Sequence, residues 1–449
     1  MEKNKISKLK NKIGIKPIII FVMILLFLIP ISLIKSIIND RSHYQSEAIG
    51  SILLPKGGEP NIEGIAIAVP YKKIIETTDK DQKKNYREET YYLLSTPVQQ
   101  NISATVNPEY LTRGIFQVPV FNSQIQMDGT FSPLEYNESG IDISNFQWNK
   151  ALVLVGIKNK KSLTETPNFY INNEKLKLAL TEPNSCSPFN NTIFYDLPEK
   201  FLQKDCSYNI TLNIQGGNTL KITPIARNTK VNIDSTWTSP SFSGGWLPTE
   251  RNITDKGFSA EWNITGISTV YPKIWLSENK KYHPENIEIG FKTPVDNYKK
   301  TERSIKYALL FLLIPFVTIF IFEIFTNIKI HPIQYCLIGL ADVIFYLLLV
   351  SISEHLPFTL TYWIASGAVS LLMLFYASTI FKVLKWGIAF ACTQFISYIF
   401  LFGTLQAEDY ALLIGSLGLF FVLGLLMILT RKIDWYSDFL DYNKTEKTE

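Results

Sequence analysis

Apolar residues in this chain are concentrated in six uncharged or nearly uncharged segments. A helix needs about 20 apolar residues to cross the hydrocarbon core of a bilayer, because each residue rises only about 1.5 Å. The segments that reach this length are 17–38, 305–325, 333–352, 358–381, 386–405 and 410–430. They predict an integral membrane protein with one N-terminal anchor (17–38) and a C-terminal bundle of five transmembrane helices (305–430).

The first apolar segment follows a basic leader, residues 1–16, so it has two interpretations. A signal peptide also has a basic leader, but its apolar region is shorter, and it ends at a small-residue cleavage site. No such site occurs here before Asn39. We therefore expect an uncleaved anchor.

Basic residues in the short loops predict the orientation, since Lys and Arg accumulate on the cytoplasmic side. The lysine-rich leader is expected in the cytoplasm, which leaves residues 39–304 on the opposite side. The later loops then alternate consistently: Lys329, Lys382 and Lys385 fall inside, and so does the tail at 431–449. Short loops also make successive helices antiparallel neighbours. Small residues that permit close helix packing are Gly339, Ala341, Gly367, Ala368, Gly415 and Gly418.

The polar region, 39–304, has the periodicity of β-structure. Tyr208, Ile210, Leu212 and Ile214 alternate with polar residues, a Gly-Gly-Asn turn follows, and the alternation resumes at 220–222. This pattern predicts a β-hairpin. Residues 116–120 and 258–264 alternate in the same way, and 151–157 is typical of a fully buried strand.

Frequent Pro and Gly between these strands indicate a β-rich, sandwich-like domain. Two subdomains divided near residues 168–188 and one large irregular sandwich both fit the pattern. Cys186 and Cys206 lie in this region. They form a possible disulfide if the compartment is oxidising.

The sequence lacks the motifs of several common enzyme and binding-site classes. The net charge of +4 is too small to indicate nucleic-acid binding. The chain has no phosphate-binding loop, zinc-protease helix or nucleophile elbow. The histidines lack metal-ligand spacing. We therefore expect no enzyme activity, no metal and no cofactor, and the bilayer as a partner.

One group of titratable residues is predicted at the outer tips of two helical hairpins, and its members are Glu354, His355, Glu408 and Asp409. Arg303 and Lys306 precede the second apolar segment on the same side, against the positive-inside tendency. We expect one of them to contact this acidic rim. A His beside carboxylates suits acid–base catalysis or cation binding, whereas the simpler interpretation is an anchor at the helix ends.

Two acidic residues fall inside apolar segments. Glu323 is near a cytoplasmic helix end, so we expect it to reach water. Asp342 is near mid-span, where a charge is costly and functional residues are concentrated. It is either functional or hydrogen-bonded to Tyr346 or Gln394. A third candidate is the Pro/Gly-rich loop 239–248, which either binds a partner or packs Phe242 and Trp246 into the sandwich.

Several ordered strings resemble the CreD family of bacterial inner-membrane proteins. In the polar region they are residues 112–121 (TRGIFQVPVF), 240–242 with 245–248, and 294–298 (PVDNY). Near the apolar segments they are 306–308, 322–323, 331–335 (HPIQY), 353–355, 406–413 (QAEDYALL) and 430–436. The resemblance implies a multi-pass protein of the bacterial inner membrane with a periplasmic β domain, associated with cell-envelope integrity and stress tolerance. It carries no catalytic mechanism, and Asp342 departs from the family pattern.

Two functions from different classes follow. The first is a non-catalytic protein that supports envelope integrity, its periplasmic domain binding an unknown envelope protein or ligand. The second is a membrane-embedded enzyme that uses the acid/His cluster at the rim. A transporter is disfavoured, because the helices show no internal repeat and no broken pair.

Overall fold

The computed structural model describes residues 16–78, 84–179, 187–267, 272–278, 284–291, 297–326, 328–407 and 410–431. The chain divides into two compact units. The first contains Met1–Gln45 with Val295–Glu449, and the second is Ser46–Pro294.

Helices make up the described part of the first unit. The first helix, α1 (Lys16–Leu53), continues well past the predicted anchor end at Ile38 and runs into the second unit. The remaining helices are α2 (Asn297–Lys306), α3 (Ala308–Thr326), α4 (Pro332–Ser353), α5 (Phe358–Phe381), α6 (Leu384–Gln406) and α7 (Ala411–Thr430).

Among the described residues, five helices are long and apolar enough to cross a membrane: α1, α3, α4, α5 and α6. The last helix, α7, coincides with the sixth predicted segment, and its apolar stretch extends over Leu413–Leu425. The predicted fold class is thus confirmed for an N-terminal apolar helix, a β-rich middle and four apolar helices near the C-terminus. A fifth C-terminal span remains a prediction.

Small residues allow close packing at some of the predicted positions. A Cβ atom built on Gly339 would lie 2.6 Å from ring atoms of Phe27 and Phe316, so α1, α3 and α4 meet at this glycine. A Cβ on Gly418 of α7 would clash with the Phe400 ring of α6. At Gly367 nothing lies within 4 Å, so that glycine is not a packing contact.

The second unit is built from strands. Their bounds are β1 (Asn61–Thr78), β2 (Lys84–Ser95), β3 (Gln99–Arg113), β4 (Phe116–Phe131), β5 (Leu152–Ile157), β6 (Phe169–Ile171), β7 (Glu174–Lys175), β8 (Thr192–Asp196), β9 (Cys206–Gly217), β10 (Thr219–Ile222), β11 (Asn228–Ser235), β12 (Ser241–Gly244), β13 (Glu250–Thr254), β14 (Gly257–Ile264), β15 (Ile274–Leu276) and β16 (Ile287–Gly290).

These described strands form two sheets of eight strands each. In the first sheet the order is β12-β16-β10-β1-β2-β15, with β5 paired to β1 and to β8. In the second sheet the order is β13-β14-β11-β3-β4-β9-β6-β7. Most neighbours are antiparallel, whereas β1 with β10 and β11 with β3 are parallel.

The main core draws buried apolar residues from both sheets. On β9 the inward positions Tyr208, Ile210, Leu212 and Ile214 are buried as the alternation predicts. All six residues of β5 are buried, because a second apolar cluster that includes Leu154 covers the other face of the first sheet. The predicted buried strand at 151–157 is thereby confirmed.

The predicted hairpin at 208–222 is wrong in its pairing. Both strands exist, but β9 pairs with β4 and β6 in one sheet, while β10 pairs with β1 and β16 in the other. Asn218 at the turn has a φ of 59°. The turn therefore carries the chain from one sheet to the other.

The proposed break near 168–188 does not divide the unit. Strands that precede it, such as β1 and β4, pair with strands that follow it, such as β10 and β9. One large irregular sandwich is the correct alternative. Cys206 is buried at the start of β9, whereas Cys186 lies outside the described residues, so their disulfide remains a prediction.

The aromatic loop at 239–248 packs into the sandwich, as the simpler interpretation predicted. Part of it is the strand β12, which pairs with β16. The Phe242 ring lies 5.5 Å from that of Phe258 and 5.8 Å from that of Trp262, and the Trp262 indole N–H donates to the carbonyl of Trp246 at 3.2 Å.

Candidate functional site

A polar cleft of about 600 Å³ lies on the outer face of the second sheet. Strands β3, β4, β11, β13 and β14 supply its floor and walls. The polar side chains that line it are Ser103, Thr105, Gln124, Gln126, Asn232, Asp234, Glu250, Arg251, Asn252, Ser259 and Glu261.

Alternation of side chains along the strands places these groups together. On β4, Ile125 and Met127 point into the core, so Gln124 and Gln126 point outward. The same rule puts Ser103 outward on β3 and Asn232 outward on β11. Because these strands are hydrogen-bonded neighbours, their outward residues form adjacent rows of one surface.

The same face of β4 is covered at its other end. Val118 and Val120 are buried there in a small apolar cluster with Leu53, Ile49 and Ile52 of the α1 end. The outer face of this sheet is therefore apolar and covered where α1 ends, and polar and open at the cleft.

The charge within the cleft is mainly negative. The lining includes three carboxyl groups, those of Asp234, Glu250 and Glu261, and one guanidinium, that of Arg251. Lys230 Nζ lies 2.9 Å from Glu261 Oε1. The hydrogen bond from Lys230 lowers the pKa of the Glu261 carboxyl most, and the hydrogen bond from the Asn263 amide lowers it further. Among the described residues no group of three His, Cys, Asp or Glu is suited to a metal ion. Amide, hydroxyl and carboxyl groups in this arrangement suit a hydrogen-bonding, uncharged or weakly basic ligand.

The cleft was not anticipated from the sequence. Its sequence signal is that most outward positions of β3 and β4 here carry Gln, Asn, Ser and Thr, while β11 adds Asn232 between Lys230 and Asp234. That signal becomes readable only when β11 is known to pair with β3, because β11 is far from β3 and β4 in the chain.

At the predicted rim, the structure pairs Glu354 with a residue that sequence reasoning missed. Arg41 Nε lies 3.3 Å from Glu354 Oε1, joining α1 to the end of α4. Lys306 Nζ lies 3.2 Å from Glu302 within α2, and Arg303 is partly buried. His355 is exposed.

Glu408 and Asp409 lie outside the described residues, so the contact predicted between them and Arg303 or Lys306 remains a prediction. Among the described rim residues, Glu354 links α4 to α1 through its contact with Arg41. No His–carboxylate pair forms among the described rim residues.

Glu323 does not reach water, contrary to expectation. It is buried, and its carboxylate accepts a hydrogen bond from the Tyr335 hydroxyl at 2.7 Å and one from the backbone N–H of Ile330 at 3.0 Å. His331 caps α4, because its side-chain Nδ1 accepts a hydrogen bond from the backbone N–H of Ile333. The backbone N–H of His331 donates in turn to the side-chain oxygen of Gln334. The HPIQY string is thus a helix start fastened to α3 by Glu323.

Asp342 is buried among three helices. Its Oδ1 accepts hydrogen bonds from the Gln394 amide at 2.8 Å and from the Tyr398 hydroxyl at 2.6 Å, both on α6. The expected contact with Gln394 is confirmed. The Tyr346 hydroxyl has no hydrogen-bond partner in the described part of the chain, and Tyr398 was not anticipated.

Comparisons with known proteins agree over nearly the whole chain. The family model described as "Inner membrane protein CreD" matches residues 12–436. Inner membrane protein CreD of Escherichia coli (strain K12) is 28% identical over 444 residues, covering 98% of this chain and 97% of that protein.

Among solved structures, the M1 zinc metallopeptidase from Deinococcus radiodurans matches with a TM-score of 0.19 and 8% identity. The match covers 43% of this chain and 42% of that one, and a likeness this low carries no argument about fold or function. The family match and the curated relative, in contrast, are both described as inner membrane proteins, which agrees with the apolar helices of this chain. The chain belongs to the CreD family of inner membrane proteins.

Proposed function

We propose that this protein supports the integrity of the cell envelope without catalysing a reaction, and that it does so by binding an envelope component in the cleft of its β unit. In this proposal the β unit is periplasmic and both termini are cytoplasmic. The observation that supports it best is the open polar face of the second sheet, in a chain whose apolar helices associate with the bilayer.

The side chains of the cleft favour a hydroxyl- and amide-rich ligand. Gln124, Gln126 and Asn232 each offer both a hydrogen-bond donor and an acceptor. The excess of carboxyl groups over Arg251 repels anionic ligands, since like charges brought together are unfavourable. An envelope glycan, which is polar, extended and rich in hydroxyl and acetamido groups, matches this chemistry.

A non-catalytic role is also supported at the rim. Glu354 is engaged by Arg41, whose Nε lies 3.3 Å from Glu354 Oε1, so this carboxylate takes part in a contact between two helices. His355 is exposed rather than held in an enclosed pocket. This arrangement favours a link between α1 and α4 over an acid–base pair.

The proposal is tested with the full-length protein in cells that lack their own copy. The double variant Gln124→Ala with Gln126→Ala removes two amides from the cleft floor, and Asn145→Ala with Asn149→Ala removes two exposed amides elsewhere in the same unit. We expect the cleft variant, but not the control, to lose survival under a cell-wall antibiotic and to lose binding to a soluble N-acetylglucosamine oligomer, which is an uncharged glycan. Equal survival and equal binding for the two variants would contradict the proposal.

The enzyme alternative is separated by a second pair of variants at the rim. Glu354→Gln with His355→Ala is expected to lower the thermal stability of the purified protein, through loss of the Arg41 contact, while survival in cells is retained at wild-type expression. Loss of survival at unchanged stability and unchanged expression would favour the enzyme.

A further inference from the structure

Asp342 lies in a helix-packed, apolar environment with hydrogen-bond donors on only one of its oxygens. The residue is 3% exposed, and Gln394 and Tyr398 both donate to Oδ1. The other oxygen, Oδ2, has no partner within the described part of the chain. An isolated carboxylate in such surroundings is strongly disfavoured unless its charge is balanced.

The groups around Asp342 do not balance that charge. On its own helix, α4, the nearest titratable side chain is Tyr346, and α6 and α5 contribute Tyr398 and Tyr362. These hydroxyls are neutral donors or acceptors. From α1 the packed side chain at this level is Phe27, beside Gly339.

Charged groups on the packed helices are farther away. On α3, Glu323 bonds to Tyr335, about 10 Å from Asp342 along α4. Arg41 bonds to Glu354, about 18 Å away along α4 in the other direction. On α2, Lys300 lies 5.8 Å from the Phe358 ring at the start of α5, and Glu302, Arg303 and Lys306 follow it in that short helix. In the described chain, no ion pair involves Asp342.

Asp342 and Gln394 together have more hydrogen-bond acceptors than donors available to them. Gln394 donates through its amide nitrogen to Asp342, yet its own oxygen, Oε1, is buried without a partner. The Asp342–Gln394 pair therefore has two unsatisfied acceptors, Oδ2 and Oε1, and lacks one donor. A carboxylic acid and a carboxamide satisfy each other through two parallel hydrogen bonds, and one of those two is already present here.

We propose that Asp342 is a proton-binding site inside the helical bundle. One proton taken from water converts the carboxylate to a neutral acid, and the new O–H on Oδ2 donates to Gln394 Oε1. That proton removes the buried charge and satisfies both acceptors at once. A monovalent cation is the competing ligand, because it would also balance the charge, and the experiments distinguish the two.

The first experiment is infrared spectroscopy on the wild-type protein in vesicles at neutral pH. Labelling the aspartate side-chain carboxyl carbon with a heavy isotope shifts the carbonyl band of a protonated aspartic acid, and exposed aspartates do not contribute because they are ionised. We expect a shifted band that Asp342→Asn removes and that Glu323→Gln, the matched control at the other buried carboxyl that the structure describes in the helical unit, leaves in place. Absence of a protonated aspartate band in the wild type would overturn the proposal, and this measurement needs no variant to fold.

The second experiment compares thermal stability in sodium, potassium and choline chloride at equal ionic strength. The proposal predicts equal Tm values in the three salts. It also predicts a smaller Tm loss for Asp342→Asn than for Asp342→Leu, since an amide is neutral and still donates to Gln394. A Tm that rises with sodium or potassium in the wild type but not in Asp342→Asn would identify a cation site and overturn the proposal that Asp342 binds a proton.

Discussion

At the scale of single residues, the two buried carboxyl groups that the structure describes in the helical bundle accept hydrogen bonds from protein donors outside their own helices. Glu323 accepts from Tyr335 and from the Ile330 backbone, and His331 caps the helix that carries Tyr335. The two Glu323 bonds tie the end of α3 to Ile330 and to α4, whereas the His331 bond closes the first turn of α4 itself. The backbone N–H groups of Ile330 and His331, between the two helices, are therefore both bonded by side chains, which gives the HPIQY string a structural role.

This arrangement makes Tyr335 a sensitive position. Tyr335→Phe deletes the hydroxyl and leaves Glu323 Oε2 buried without that donor, which is expected to cost about 1–3 kcal/mol of stability. Thermal unfolding of the purified protein in detergent measures the loss. Tyr376→Phe on α5 is the control, because the Tyr376 hydroxyl is partly buried and forms no hydrogen bond within the described residues. Equal stability of the two variants would show that the Glu323 contact is not important.

At this scale the sequence predicted a residue's environment correctly where its position within its own helix was enough information. The position of Asp342 at mid-span predicted a buried polar residue, and Gln394 was correctly named as a partner. Tyr398 and Arg41 were missed, because finding them requires the rotation of α6 and α1 about their axes. Glu323 was misjudged, because its position near a helix end suggested water, while the chain folds back and offers the Ile330 N–H instead.

At the scale of elements, periodicity predicted strands better than it predicted their neighbours. An alternating pattern records that one face is buried, and β9 and β10 both satisfy it. It does not record which strand lies alongside. The turn at Asn218 led to the prediction of a hairpin, yet the two strands belong to different sheets. The cleft was missed for the same reason, since it depends on the pairing of β3 with β11.

Glycines in the helices provide a test of packing at this scale. Gly339→Ala places a methyl group 2.6 Å from the Phe27 and Phe316 rings, and overpacking of this kind costs about 1–3 kcal/mol. Gly367→Ala is the matched control: nothing lies within 4 Å, and the higher helix propensity of Ala is expected to add up to about 1 kcal/mol. Thermal unfolding should therefore shift in opposite directions for the two variants. A stabilised Gly339→Ala would mean that α1 does not pack closely on α4.

At the scale of the whole molecule, the two units use their apolar residues in opposite ways. In the β unit they fill the space between the sheets, as Leu212 and Trp262 do. In the helical unit large apolar side chains also point outward, for example Phe375 at 76% exposure and Leu371 at 67%. Water would make such a surface unfavourable, whereas lipid does not. Composition alone therefore predicted the two environments correctly, because each unit's surface must match its solvent.

The lysine distribution predicts the side of the membrane on which the β unit lies, and labelling of introduced cysteines measures it. Asn149→Cys puts a thiol on an exposed position of the β unit, and Lys385→Cys puts one at the exposed start of α6. Because the lysine-rich loops are expected in the cytoplasm, a membrane-impermeant maleimide should label Asn149→Cys in intact spheroplasts. It should label Lys385→Cys only after permeabilisation. Labelling is measured relative to the unsubstituted chain, which corrects for the native cysteines. The reverse pattern would place the cleft in the cytoplasm, where an envelope glycan cannot reach it, and the proposed function would fail with it.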